Sequence, residues 1–175
     1  MLRLKEAMKR KRHIRENRIG DFIVSILVCQ SAGILGSFVT DGSVTTWYAT
    51  LNKPLLAPPN WLFGPVWLAL YTLMGIALFL VWEKGFDKPK VKVAIKLFIF
   101  HLAVNALWSV VFFGLNQIFA GLLVILLLLA LIFLVIIAFY PLDWRAALLL
   151  VPYLFWVSFA AYLNYAIWLL NRGAL

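Results

Sequence analysis

Five long apolar runs constrain this chain more than any other feature of its sequence. Each run is close to the ~20 residues that an α-helix needs to cross ~30 Å of hydrocarbon. Unpaired backbone groups are costly in lipid, and the runs are continuous rather than alternating, so they indicate helices and not β-barrel strands. The sequence therefore predicts an all-α integral membrane protein, a bundle of five transmembrane helices. The predicted spans are approximately residues 22–40, 61–82, 93–114, 118–139 and 146–170.

Composition excludes the main soluble alternatives. Hydrophobic residues make up 65% of the 175-residue chain and charged residues 13%, whereas a soluble domain is about half apolar and about a quarter charged. The same numbers exclude a disordered chain. The single cysteine, Cys29, excludes a disulfide framework and a thiolate zinc site. The sequence contains no HExxH, P-loop, GxGxxG or CxxC motif, so it predicts no metal and no cofactor.

The basic residues predict the orientation of the chain in the membrane. With the N-terminus inside, fourteen of the 16 Lys and Arg fall in inner segments, and only Lys53 and Arg172 fall outside. Residues 1–20 form a basic N-terminal extension, and residues 21–175 form the transmembrane domain. The extension is either a solvated topology signal or a short amphipathic helix at the membrane surface. Because the basic residues flank apolar spans, they indicate membrane lipid as a partner, not nucleic acid, and a multi-pass protein of a prokaryotic cytoplasmic membrane.

The connection between the first two spans, residues 41–60, is the longest in the chain. Asp41-Gly42-Ser43 is predicted to end the first helix. The connection is unusually apolar for a solvated loop, so its large side chains need a surface to bury against. We expect a lid over the outer ends of the helices; the alternative is an aromatic belt at headgroup level. The side chains concerned are Trp47, Tyr48, Leu51, Leu55 and Leu56.

Aromatic and polar side chains recur at helical spacing within the spans. The chain has 8 tryptophans. Such faces could enclose a flat, apolar, ring-shaped ligand, or they could be ordinary helix packing and interfacial anchoring. Asn105 could orient a ligand or form an interhelical hydrogen bond, and His101 is read as a structural donor or acceptor. Three faces stand out: Phe63, Trp67 and Tyr71; Asn105, Trp108 and Phe112; Trp156, Ala160 and Asn164.

Three local features make further predictions about the helices. Small residues spaced by four in the first span, Ala32 with Gly36 and Gly33 with Ser37, permit close helix approach, within the bundle or in a dimer. Pro65 and Pro152 lie inside predicted helices and are expected to kink them. Asp143 is a predicted helix N-cap.

Four ordered motifs resemble the tryptophan-rich sensory protein and translocator protein family, also called the peripheral benzodiazepine receptor or TspO/MBR family. The resemblance covers roughly residues 20–170. The motifs are Trp47-Tyr48-x-x-Leu51-x-Lys53-Pro54-x-x-x-Pro58-Pro59; Trp61-x-Phe63-x-Pro65-x-Trp67-x-x-Leu70-Tyr71-x-x-Met74-Gly75; Leu102-x-x-Asn105-x-x-Trp108-x-x-x-Phe112-Phe113-Gly114; and Pro152-Tyr153-x-x-Trp156-x-x-x-Ala160-x-x-Leu163-Asn164.

The resemblance implies a five-helix fold, commonly dimeric, with a pocket closed by the first long loop. It implies a receptor or sensor that binds porphyrins such as protoporphyrin IX and related apolar aromatic ligands. The alternatives are transport of a porphyrin or sterol, and light-dependent porphyrin degradation, for which Trp67 and Trp156 match the tryptophans involved. The expected ligand-binding residues are Tyr48, Trp67, Asn105, Trp108, Trp156 and Ala160.

Two positions depart from the family pattern. The sterol motif of the family requires its basic residue within five intervening residues of the tyrosine, but six residues separate Tyr165 from Arg172, so a sterol partner is not expected. His101 stands where many relatives carry glutamine.

Overall fold

The computed structural model describes residues 2–173, with side chains for residues 18–40 and 42–173. Within these residues, five segments are long and apolar enough to cross a membrane: Arg18–Thr45, Asn60–Trp82, Pro89–Gly114, Ile118–Phe139 and Trp144–Asn171. The prediction of an all-α protein with five membrane spans is confirmed. The α-helices are α1 (Leu2–Thr45), α2 (Trp47–Thr50), α3 (Phe63–Trp82), α4 (Pro89–Ser109), α5 (Ile118–Phe139), α6 (Trp144–Leu149) and α7 (Val151–Asn171).

Small residues let α1 pack closely against its neighbours. A Cβ atom added to Gly75 of α3 would lie 2.8 Å from the Ile26 Cα and 3.1 Å from the Ser25 carbonyl oxygen. A Cβ atom added to Gly36 of α1 would lie 3.1 Å from the Ser109 Oγ. Lipid provides no hydrophobic force between helices, so this close approach supplies van der Waals contact in its place. The predicted small-residue spacing in the first span therefore serves packing within the bundle.

The first span does not end at residues 41–43, as the sequence predicted, because α1 continues to Thr45. The hydroxyl groups of Thr40 and Thr46 donate to the carbonyl oxygens of Gly36 and Gly42, at 2.8 and 2.7 Å. Asp, Gly and Ser lower helix propensity by about 1 kcal/mol or less each, which does not by itself end a helix. The helix stops at Thr46, whose backbone turns away before α2 begins.

The two prolines begin helices instead of lying in their interiors. Pro65 lies in the first turn of α3, after a 3₁₀ turn at Asn60–Leu62. In the first turn of a helix the backbone N–H groups have no intrahelical partner, so Pro65 removes no hydrogen bond from α3. Pro152 follows an interruption at Leu150, which divides the fifth span into α6 and α7.

Ionic contacts join three elements at the end of the bundle that the sequence places inside. Asp143 is the N-cap of α6, as predicted: its Oδ1 accepts the backbone N–H of Arg145 at 3.0 Å. Its Oδ2 lies 2.8 Å from the Lys84 Nζ and 2.9 Å from the Arg145 Nη2. The Arg145 hydrogen bond, and then Lys84, hold the pKa of this carboxyl group below its usual range against the opposing effect of burial. Arg18 pairs with Glu83 at the same end.

Candidate ligand-binding cavity

A cavity of about 550 Å³ lies between α1, α3 and α4 under the connection that follows α1. This volume falls within the ~300–1,000 Å³ range of small-molecule sites. One wall is formed by α1 and carries small and polar side chains, among them Gln30, Gly33, Gly36 and Ser37. The other walls are aromatic. The aromatic residues that line the cavity are Tyr48, Phe63, Trp67, Tyr71, Trp108 and Phe113.

The connection between the first two spans forms the lid that the sequence predicted, but only part of it is buried. Tyr48 of α2 is 4% exposed. Its ring centroid lies 5.6 Å from that of Phe113, and the Lys53 Nζ lies 4.8 Å from the centroid of Tyr48. Burial raises the pKa of the Tyr48 hydroxyl above its usual value, so the lid presents a neutral group. Leu55 and Leu56 were expected to be buried as well, but both are exposed.

Asn171 at the end of α7 holds the lid in place. The Asn52 backbone N–H donates to the Asn171 Oδ1 at 3.0 Å, and the Asn171 Nδ2 donates to the Asn52 carbonyl oxygen at 2.9 Å. The sequence did not predict a role for Asn171. The pair is separated by 119 positions, and an asparagine at the end of a span has no periodic signal.

Two of the predicted residues form the aromatic walls together with Tyr48. Trp67 of α3 stacks on Tyr71, with ring centroids 5.4 Å apart and an interplanar angle of 28°. Trp108 of α4 stacks on Phe112 at 5.5 Å, and its Nε1 donates to the Asn164 Oδ1 at 3.2 Å. This hydrogen bond fixes the indole from behind, so the ring orientation does not depend on a ligand.

A widened turn ends the third span. Residues Val110–Gly114 form a π-helical turn, in which the Leu115 N–H bonds to the Val110 carbonyl oxygen at 2.9 Å. Phe113 lines the cavity together with Ser109, four residues before it. Phe112 stacks on Trp108, so these two side chains share a face, as the helical spacing predicts.

The structure places Asn105 behind the wall instead of on it. Asn105 is 1% exposed and is not among the lining residues. Its Oδ1 accepts a hydrogen bond from the Tyr71 hydroxyl at 2.5 Å, and its Nδ2 donates to the Tyr153 hydroxyl oxygen at 2.9 Å. Asn105 therefore acts on the cavity through Tyr71.

Trp156 and Ala160 also lie outside the lining of this cavity. The Trp156 ring packs edge-on against Phe63, with centroids 6.0 Å apart. Its indole Nε1 is buried and has no hydrogen-bond partner among the described residues. Of the six residues expected to bind a ligand, the structure thus brings together Tyr48, Trp67 and Trp108. Phe63 and Tyr71, which share the face of Trp67, were not selected.

The cavity has the chemistry of a neutral aromatic site. Among the side chains that the structure describes, no Asp, Glu, Lys, Arg or His lines the cavity. Across residues that the structure describes, no group of three or more His, Cys, Asp or Glu side chains could hold a metal ion. The polar groups are hydroxyls and amides, such as those of Gln30, Ser37 and Thr40. The arrangement suits a flat apolar ligand with a few hydrogen-bonding groups at its edge.

Comparison with known proteins identifies the family. The model of the TspO/MBR family matches residues 25–169. The tryptophan-rich protein TspO of Archaeoglobus fulgidus is 48% identical over 150 residues, covering 85% of this chain and 95% of that protein. The human translocator protein is 40% identical, covering 79% of this chain and 83% of its own length. The tryptophan-rich sensory protein of Cereibacter sphaeroides is 32% identical, covering 86% and 90%. The five spans of this chain and its similarity to archaeal and bacterial proteins fit a multi-pass protein of a prokaryotic membrane, and the chain belongs to the TspO/MBR family.

Proposed function

We propose that this chain is a membrane receptor or sensor that binds tetrapyrroles such as protoporphyrin IX, and related flat aromatic ligands, in the cavity between α1, α3 and α4. The observation that carries the proposal is the set of six aromatic residues around a cavity of about 550 Å³. Membership of a family whose members are named sensory and translocator proteins supports the same proposal.

The walls supply stacking energy without requiring a charge on the ligand. Trp67 and Trp108 come from different helices, and each already stacks on another ring. An aromatic contact is worth about 0.5–1.5 kcal/mol beyond the area that it buries. A macrocycle offers both faces and a long edge to such walls, while hydroxyls and amides of α1 meet polar substituents at its rim.

The decisive experiment is a titration of protoporphyrin IX into the purified full chain in lipid nanodiscs, in the dark, with tryptophan fluorescence as the readout. Saturable quenching is expected. Trp67→Leu should weaken binding roughly three- to tenfold or more, because it removes at least one stacking contact. Trp144→Leu is the matched control, since Trp144 is 60% exposed and does not line the cavity. Equal affinities for the wild type and Trp67→Leu would overturn the assignment of this cavity.

A further inference from the structure

A chain of hydrogen bonds runs from the cavity wall to a buried imidazole. The Tyr71 hydroxyl bonds to the Asn105 Oδ1 at 2.5 Å, and the Asn105 Nδ2 bonds to the Tyr153 hydroxyl at 2.9 Å. The Tyr153 hydroxyl lies 3.1 Å from the His101 Nε2, and the His101 Nδ1 lies 2.9 Å from the Phe98 carbonyl oxygen. All four side chains are 5% exposed or less. With little access to water, each of these side chains must find its hydrogen-bond partner in the next one of the series.

The Phe98 carbonyl group, at one end of this series of hydrogen bonds, determines which group donates and which accepts in each of them. The Phe98 carbonyl oxygen can only accept, so the His101 Nδ1 carries the hydrogen. In a neutral imidazole the Nε2 is then an acceptor, and the Tyr153 hydroxyl must donate to it. The Tyr153 oxygen accepts from the Asn105 Nδ2, which leaves the Asn105 Oδ1 to accept from Tyr71. A neutral imidazole fits this site, because a carboxylate partner is absent among the contacts of His101 and a lone charge within the membrane is costly.

The direction of these hydrogen bonds determines what the Tyr71 hydroxyl can do at the cavity wall. Tyr71 lines the cavity and stacks under Trp67, and its only hydroxyl hydrogen is committed to Asn105. Within the described part of the chain, no hydrogen bond uses the Tyr71 oxygen as an acceptor. With its hydrogen committed in this way, the Tyr71 oxygen can accept a further hydrogen bond but cannot donate one.

We propose that His101 is a specificity-determining positioning residue: acting through Tyr153 and Asn105, it fixes Tyr71 as a hydrogen-bond acceptor, so that the cavity selects aromatic ligands with an N–H or O–H group at this wall. His101 is not among the residues that line the cavity. The inference rests on the proposed function, because it requires a ligand in the cavity.

Removal of the imidazole should reverse the donor and acceptor roles along this series of hydrogen bonds. In His101→Leu the Tyr153 hydroxyl loses its acceptor. The Asn105 amide can then turn over, accept from Tyr153 with its oxygen and donate to the Tyr71 oxygen with its nitrogen. Tyr71 would point its hydroxyl hydrogen into the cavity and become a donor. In His101→Gln the side-chain amide can donate to the Phe98 carbonyl oxygen and accept from Tyr153, so the original direction is kept.

The test uses two flat tricyclic probes of nearly equal shape, carbazole, which has an N–H group, and dibenzofuran, which has an ether oxygen in its place. Each is titrated by calorimetry into the full chain in nanodiscs, with empty nanodiscs measured in parallel to subtract partition into lipid. In the wild type and His101→Gln we expect carbazole to bind roughly three- to tenfold more tightly, the range that one net hydrogen bond gives. In His101→Leu the ratio of the two dissociation constants should fall to one or invert.

Three outcomes overturn the inference. An unchanged ratio in His101→Leu, including a parallel loss of both affinities, means that His101 is only structural. Equal binding of the two probes to the wild type removes the specificity while leaving the cavity assignment intact. Failure of both probes to bind the wild type removes the proposed function, and the inference with it. If His101→Leu does not fold, ¹⁵N chemical shifts of the wild-type imidazole decide, with His13→Gln used to leave one histidine: a hydrogen on Nδ1 supports the chain direction, and a hydrogen on Nε2 refutes it.

Discussion

The lid clamp at Asn171 gives a prediction whose size follows from the structure. Within the described residues, two hydrogen bonds join segment 51–59 to α7, and both are made by the Asn171 side chain to the backbone of Asn52. A net hydrogen bond contributes about 0.5–1.5 kcal/mol. Asn171→Ala removes both, so the docked lid should lose about 1–3 kcal/mol.

Hydrogen exchange measures this loss directly and needs no ligand. The Asn52 amide donates to Asn171 at 3.0 Å and is protected by that bond. In Asn171→Ala we expect its exchange to accelerate roughly five- to 150-fold, the factor that corresponds to about 1–3 kcal/mol. Ligand dissociation, followed by stopped-flow with protoporphyrin IX, should accelerate in the same direction.

Asn171→Asp is the matched control for the clamp. The aspartate keeps the oxygen that accepts from the Asn52 N–H and loses the donor to the Asn52 carbonyl oxygen. Its effect on exchange at Asn52 should lie between those of the wild type and alanine. Unchanged protection of the Asn52 amide in Asn171→Ala would refute the clamp, whatever happens to ligand binding.

Three further predictions concern packing, the aromatic wall and pH. Gly75→Ala should lower the free energy of unfolding by about 1–3 kcal/mol, because its Cβ atom meets the backbone of α1. Gly20→Ala is the control: a Cβ atom there has nothing within 4 Å, so the change should be neutral or slightly stabilising. Equal effects of the two variants in a thermal melt would contradict the contact at Gly75. Trp67→Phe should weaken protoporphyrin binding, while Trp156→Phe should leave the dissociation constant within about twofold, because a change of that size is below one net contact; a larger loss in Trp156→Phe would place Trp156 at the ligand. The pKa of Asp143 is depressed in the folded state, so its stabilising effect is present above the ordinary aspartate pKa of about 4 and is lost as pH falls below it. Asp143→Asn should therefore be less stable at pH 7 and lose less stability on acidification, and parallel pH profiles from melts of the two proteins would refute this.

The membrane spans were predictable because hydrophobic length is a local property. A run of apolar residues near the length of the bilayer must be helical, wherever the other runs lie. Asp143 was predictable for a similar reason, since a cap depends on the residues that follow it directly. The end of α1 was predicted too early because Asp, Gly and Ser weaken a helix but do not by themselves end it.

The site was only partly predictable, because helical spacing shows which residues lie on the same face of a helix but not what that face packs against. Trp156 and Ala160 lie on one face of α7, but nothing in their spacing tells which cavity that face meets. Tyr71 shares the face of Trp67, stacks on it and lines the cavity with it. Trp108 and Phe112 share a face of the third span and stack, as their spacing predicts, but the spacing does not show that Phe113 lines the cavity.

The aromatic side chains of the cavity are held from behind by neutral amides, and the membrane explains the choice. A buried charge would be costly within the bilayer, whereas an amide can both donate and accept without one. Asn164 fixes the Trp108 indole, Asn105 fixes the Tyr71 hydroxyl, and Asn171 fixes the backbone of Asn52 after α2. The second hydrogen-bonding group of Asn164 bonds to the Ile118 carbonyl oxygen at 2.9 Å, and that of Asn105 bonds to the Tyr153 hydroxyl. A wall fixed in this way loses little entropy when a ligand arrives, so affinity in this cavity should depend more on the fit of the ligand than on rearrangement of the helices.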